Sequence, residues 1–157
     1  MSSRLESDIV QMLNEDGWNL VPDKKQGLYV TSFEGENGIY QLYLNVMNLD
    51  NQLLITYSYI PIKSPKDKIA AVALLLNKIN RELYFGNFEI DYTNGEIAFR
   101  NGMHFLGEEF TKYMAVNTIS SCAFTVDKYF PAIKFLINTK ISPEDALKQV
   151  KRDRSSP

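Results

Sequence analysis

The chain has 157 residues, 45% apolar and 23% charged, and 17 basic against 19 acidic side chains leave a formal charge of −2. That balance suits a globular domain burying about 70% of its unfolded surface; it excludes a disordered or fibrous class and offers no long-range attraction for a nucleic-acid backbone or an anionic membrane. A lone cysteine, Cys122, a polar start from Met1 to Glu6 without a signal-peptide core, and a longest apolar run (Ile69 to Leu76) far short of the ~20 residues of a membrane span together lead to an expectation of a cytoplasmic protein with no membrane partner.

In chain order, Leu5, Ile9, Met12 and Leu13 share one helical face, Ser3 and Glu6 have capping-box spacing, and Gly17 ends this first helix. Trp18 to Gly27, with Pro22, Asp23, Lys24 and Lys25, reads as a loop that anchors Trp18 on the core. Three antiparallel strands follow: Leu28 to Glu34, Ile39 to Met47 and Gln52 to Ile60, joined by turns at Gly35 to Gly38 and Asn48 to Asn51. In the third, Ile55, Tyr57 and Tyr59 alternate with Thr56 and Ser58, and the aromatic side is expected to pack on helices. The second is less one-sided, since Ile39, Tyr43 and Met47 place large groups opposite Tyr40, Leu42, Leu44 and Val46.

Ser64, Pro65 and Asp67 have the pattern of an N-cap, a proline at the first helical position and an acid at the third. The helix they open carries Ile69, Val72, Leu76, Ile79 and Leu83 on its main stripe, but Ala70, Ala71, Leu74 and Leu75 widen its apolar surface beyond one sheet's cover. Such a helix is buried on several sides, deep in its own domain or against a second subunit. Next comes a hairpin in which Phe88, Ile90 and Tyr92 alternate with Glu89 and Asp91. Asn94-Gly95 predicts a type I′ turn, with Tyr92 opposite Ile97, Ile90 opposite Phe99 and Glu89 opposite Arg100.

From Glu108 onward Phe110, Tyr113, Met114, Val126, Tyr129, Phe130, Ile133 and Ile137 return to helical spacing; Pro131 either kinks this helix or opens another. Ser142, Pro143 and Asp145 repeat the earlier cap pattern for a short helix through Val150, and residues 151–157 read as a frayed tail. No repeat or linker divides residues 1–157, so one domain is expected: α+β, in the order α-β-β-β-α-β-β-α, an antiparallel sheet with helices packed on it.

This order resembles the type III secretion chaperone-like fold. The run Ala70-Ala71-Val72-Ala73-Leu74-Leu75-Leu76-Asn77-Lys78-Ile79-Asn80, the hairpin Phe88-Glu89-Ile90-Asp91 with Asn94-Gly95-Glu96, and Asp127, Tyr129 and Pro131 are similar to the bacterial YbjN family, whose members are described as sensory transduction regulators. The resemblance covers Leu5 to Ile137 in layout. It implies an intracellular, non-catalytic regulatory module that dimerises and binds polypeptide segments, and it brings no catalytic residue with it. Secretion chaperones of this fold are usually more acidic than this near-neutral chain.

The residues offer little chemistry of their own. One His and one Cys cannot assemble the usual zinc ligand set, so no metal or cofactor is expected, and Cys122 reads as a small buried residue. Glu89 and Asp91 share a strand face, which solvent and Arg100 explain without acid–base catalysis. Lys148, Lys151, Arg152 and Arg154 form a basic helix end without stacking aromatics, and no nucleic-acid partner is expected. The expected interface consists of Leu74 and Leu75 on the second helix with Tyr43, Tyr57 and Tyr59 on the sheet, serving a homodimer and a protein or peptide partner. The alternative is a small-ligand protein or enzyme with a site between sheet and helices, assembled from Tyr43, Arg81, Glu89 and His104.

Overall fold

The computed structural model describes residues 4–47, 52–105 and 110–152. The first helix, α1 (Arg4–Glu15), buries Ile9 and Leu13. It closes where Gly17 turns left-handed (φ 96°) and the Trp18 N–H reaches back to the Leu13 carbonyl at 3.1 Å. The predicted cap at Ser3 lies outside the described residues.

Six strands make one antiparallel sheet: β1 (Val21–Asp23), β2 (Leu28–Glu34), β3 (Ile39–Met47), β4 (Leu53–Tyr59), β5 (Asn87–Ile90) and β6 (Ile97–His104), in spatial order β1-β2-β3-β4-β6-β5. The predicted loop before β2 therefore contains a strand. Val21 pairs with Val30 and Asp23 with Leu28, and Trp18 does anchor there, its ring 6.3 Å from Phe33 and its carbonyl accepting from the Thr31 hydroxyl.

Every helix in contact with the sheet lies on one side of it. Tyr40, Leu42 and Leu44 of β3, Leu54 of β4 and Phe99 of β6 point into that side and are fully buried. The facing of β4 is the reverse of the expectation. Thr56 and Ser58 are completely buried with Leu54, and Ile55, Tyr57 and Tyr59 point away from the helices. The reason is close approach. The long helix α3 (Lys112–Asn138) crosses here, and the Thr56 hydroxyl and the Asn101 amide both donate to its Thr118 carbonyl at 3.3 Å. Small side chains let the helix backbone come that near; a Tyr at position 56 or 58 would hold it off.

The Ser64-Pro65 segment does not cap an α-helix. Pro65 is extended, Lys66–Lys68 form a 3-10 turn, and α2 runs Ile69–Asn80. Ser64 is instead buried, its N–H donating to the Gly95 carbonyl at 2.9 Å. The same motif at Ser142 does cap α4 (Pro143–Arg152): its hydroxyl accepts from the Asp145 N–H at 3.1 Å and donates to the Asp145 carboxylate at 2.9 Å. This last helix reaches two residues into the expected tail.

The broad apolar surface of α2 finds its cover within the same chain, between β5, α3 and α4. Leu75 is fully buried and Leu74 is 46% exposed, so of the two helical interface candidates only Leu74 reaches solvent. Pro131 lies inside the unbroken α3 and starts no second helix. At the far end of α3, Lys68 donates to the Leu136 carbonyl at 2.9 Å and to that of Thr139, a cation on a helix C-terminus.

In the hairpin, Ile90 pairs with Ile97 and Phe88 with Phe99, two residues away from the predicted register. Only Gly95 is left-handed (φ 74°), so Asn94-Gly95 is not a type I′ turn. The Asp91 N–H meets the Glu96 carbonyl at 2.9 Å around a four-residue loop whose start is folded by the Asp91 carboxylate on the Thr93 N–H, 2.7 Å. A shift of two preserves side-chain parity, and Glu89 still pairs with Arg100, now diagonally.

Candidate functional site

The helix-free face of the sheet carries an ordered row across all six strands: Val21, Val30, Tyr43, Tyr57, Arg100 and Asn87 are successive cross-strand partners. Tyr43 and Tyr57, on the two central strands, stack with centroids 5.0 Å apart and planes 11° from parallel. Tyr59 stands edge-on to both, at 5.8 and 5.9 Å. Around them lie Ile55, Leu53 and Met47, half-buried, and Ile39, 66% exposed. Ring-on-ring burial, helped for both by Tyr59 and further by Asp23 for Tyr43 and by Tyr43 for Tyr57, raises the Tyr43 and Tyr57 hydroxyls above their ordinary 10.0. The three tyrosines of the expected interface thus share one surface, and Leu74 and Leu75 are not on it.

A second cluster was hidden from sequence reading. Asp127 of α3 is buried, and its carboxylate accepts from the backbone N–H groups of Glu36 (3.0 Å) and Asn37 (2.8 Å) and from the Tyr40 hydroxyl (2.9 Å). Pro131 explains the fourth contact. With no N–H it leaves the Asp127 carbonyl without its helical donor, and the Asn37 side-chain amide supplies one at 3.0 Å. A side chain at Gly35 would collide with the carboxylate. These residues clamp the β2–β3 turn onto α3, and among the described residues no buried side-chain polar atom is without a hydrogen-bond partner, as expected of a structural device.

The clamp has a pH signature. Burial, with the Asp127 carboxylate beside it, holds the Tyr40 hydroxyl well above its ordinary 10.0. A raised folded-state value means stability fully present below the unfolded pKa of about 10 and lost as pH rises beyond it. Urea midpoints are therefore expected to fall above pH 10, and Tyr40→Phe to flatten that alkaline limb; an unchanged limb in the variant would contradict the assignment.

The remaining candidates do not converge. Tyr43, Glu89 and His104 lie on the open face, whereas Arg81 lines a recess between α2 and α4 with Lys78, Glu144 and Lys148. Burial pushes the Cys122 thiol up to about 12, which makes it a poor nucleophile. A recess of about 460 Å³ between β6 and α3 is lined by Phe85, Met103, Asn117, Ser121 and Phe124 among others, amides, hydroxyls and apolar groups without an ionisable side chain. Among the described residues there is no group of three His, Cys, Asp or Glu that could hold a metal ion, and no helix long and apolar enough to cross a membrane.

Comparison with known proteins gives one family. The model of YbjN, described as "Putative bacterial sensory transduction regulator", matches residues 7–135. No curated protein matches the chain. Among solved structures, the chain is similar to an uncharacterized protein from Methanothermobacter thermautotrophicus, at 14% identity and a TM-score of 0.48, over 94% of this chain and 97% of that one.

Proposed function

Because the chain belongs to the YbjN family, we propose that it is a non-catalytic regulatory module of the bacterial cytoplasm that works by binding protein, through the open face of its sheet. The observation that carries this reading is the tyrosine cluster. Soluble sheets with one solvated face usually alternate apolar inside with polar outside, and here the outward row of β4 (Leu53, Ile55, Tyr57 and Tyr59) is wholly aromatic and aliphatic, while that of β3 sets Ile39, Tyr43 and Met47 beside the polar Gln41 and Asn45. Tyrosine supplies large contact area at low conformational cost and keeps a hydroxyl for water when unbound, which suits a surface that is alternately covered and exposed. The scatter of Tyr43, Arg81, Glu89 and His104 supports the non-catalytic part. So does the burial of Cys122.

A photo-crosslinking residue in place of Tyr59, in the full chain produced in bacteria, tests the face directly. Adducts with polypeptide are expected to exceed by about tenfold those from the same residue at Lys134, which is exposed on the helical side. Equal, low yields at both positions would refute the reading.

A further inference from the structure

Resting on that reading, we propose that the occupant of the open face is a second copy of this chain, laid sheet on sheet across a two-fold axis. The centre of a six-stranded sheet in the order β1-β2-β3-β4-β6-β5 falls between β3 and β4, where Tyr43 and Tyr57 stack. An axis running along the strands at that point places Tyr43 of each copy over Tyr57 of the other, so the aromatic centre meets itself and the interface closes.

Shape and size agree. Two sheets with the same right-handed twist pack face to face at about −30°, whereas an extended peptide would cover one or two strands and leave most of the row wet. Taking each strand residue as about 3.4 Å by 4.8 Å, the six strands offer roughly 600 Å² per copy, about 1,200 Å² over two copies before side-chain relief is added. That reaches the range of stable specific interfaces, about 1,200–2,000 Å². A formal charge of −2 imposes little repulsion between copies.

The exposed strip of α2 and the two sheet edges are narrower routes to self-association. On α2, Ala70, Leu74 and Asn77 make up the exposed strip. The β1 edge is three residues long and contains Pro22, and the β5 edge is engaged by Asn80, whose side chain accepts from the Phe88 N–H at 2.7 Å and donates to its carbonyl at 3.0 Å.

Sedimentation equilibrium of the full chain from about 1 to 100 μM is the test. The wild type is expected at twice the 18.0 kDa chain mass. Tyr59→Arg is expected to weaken association at least tenfold and Leu74→Arg to leave it unchanged, with far-UV circular dichroism checking each fold. Gln41→Arg, exposed on the same face beside Tyr43, serves if Tyr59→Arg does not fold. A wild type at the single-chain mass throughout, or dissociation caused by Leu74→Arg and by neither face variant, would overturn the proposal. A monomeric wild type whose crosslinker at position 59 still joins a foreign protein would sink the two-fold packing and leave the binding face standing; no adduct at all would remove both.

Discussion

Asp127→Ala is expected to lower stability by about 3 kcal/mol, a fall of roughly 6–12 °C in Tm for a chain of this size. Two backbone N–H groups and the Tyr40 hydroxyl lose a charged acceptor at once. A lost hydrogen bond to a charged group costs about 1.5–3 kcal/mol, and the three here are not additive, because Glu36 and Asn37 sit in an exposed turn where water replaces part of the loss. Urea unfolding at neutral pH measures it, read as a lower midpoint with an unchanged slope. Asn37→Ala, which removes the donor that answers Pro131, should cost about 1 kcal/mol. A neutral Asp127→Ala would show that the clamp is incidental.

Gly95→Ala is expected to cost about 3 kcal/mol as well, for a different reason. At φ 74° an alanine is strained by about 1–2 kcal/mol, and its Cβ would collide with the Ser64 carbonyl oxygen. The bond from the Ser64 N–H to the Gly95 carbonyl holds the hairpin tip against the entry to α2, so relief of the clash would pull the two apart. Asn94→Ala is a sharp contrast. Its backbone is not left-handed, and it loses only exposed bonds to Glu96, so its effect should stay near 0.5 kcal/mol. Had the turn been type I′, the two substitutions would have been comparable.

That contrast shows how far the sequence could be read. The strands β2 and β3 emerged with their observed limits, and β4 within a residue at each end, because unbroken alternation between turn residues is a local signal. Alternation gives parity but not which parity meets the core. On β4 the bulky side looked like the inside, and the outcome was decided by a helix sixty residues later that needed Thr56 and Ser58 beneath it. The strand β1 had no signal of its own, since Val21-Pro22-Asp23 is extended only because β2 is beside it. The excess apolar surface of α2 was legible, and its cover was not, because α4 arrives from the far end of the chain.

The tyrosines of the candidate face were visible as an unusual density, and their meeting on one surface follows from strand register. Asp127 could not be found the same way. Its partners lie about ninety residues away, and the one local hint was Pro131 four positions on, which marks the Asp127 carbonyl as needing a donor from elsewhere.

The central claim is that Tyr43, Tyr57 and Tyr59 are covered by protein in the working state. Oxidative footprinting of the chain in living cells, compared with the purified chain at high dilution, measures this most directly, with Tyr84 and Tyr113, 97% and 74% exposed and outside the six strands, as internal standards. Protection of the three face tyrosines in cells, with the standards labelled equally in both samples, is the predicted result; labelling of all five in the same proportions in both would contradict it.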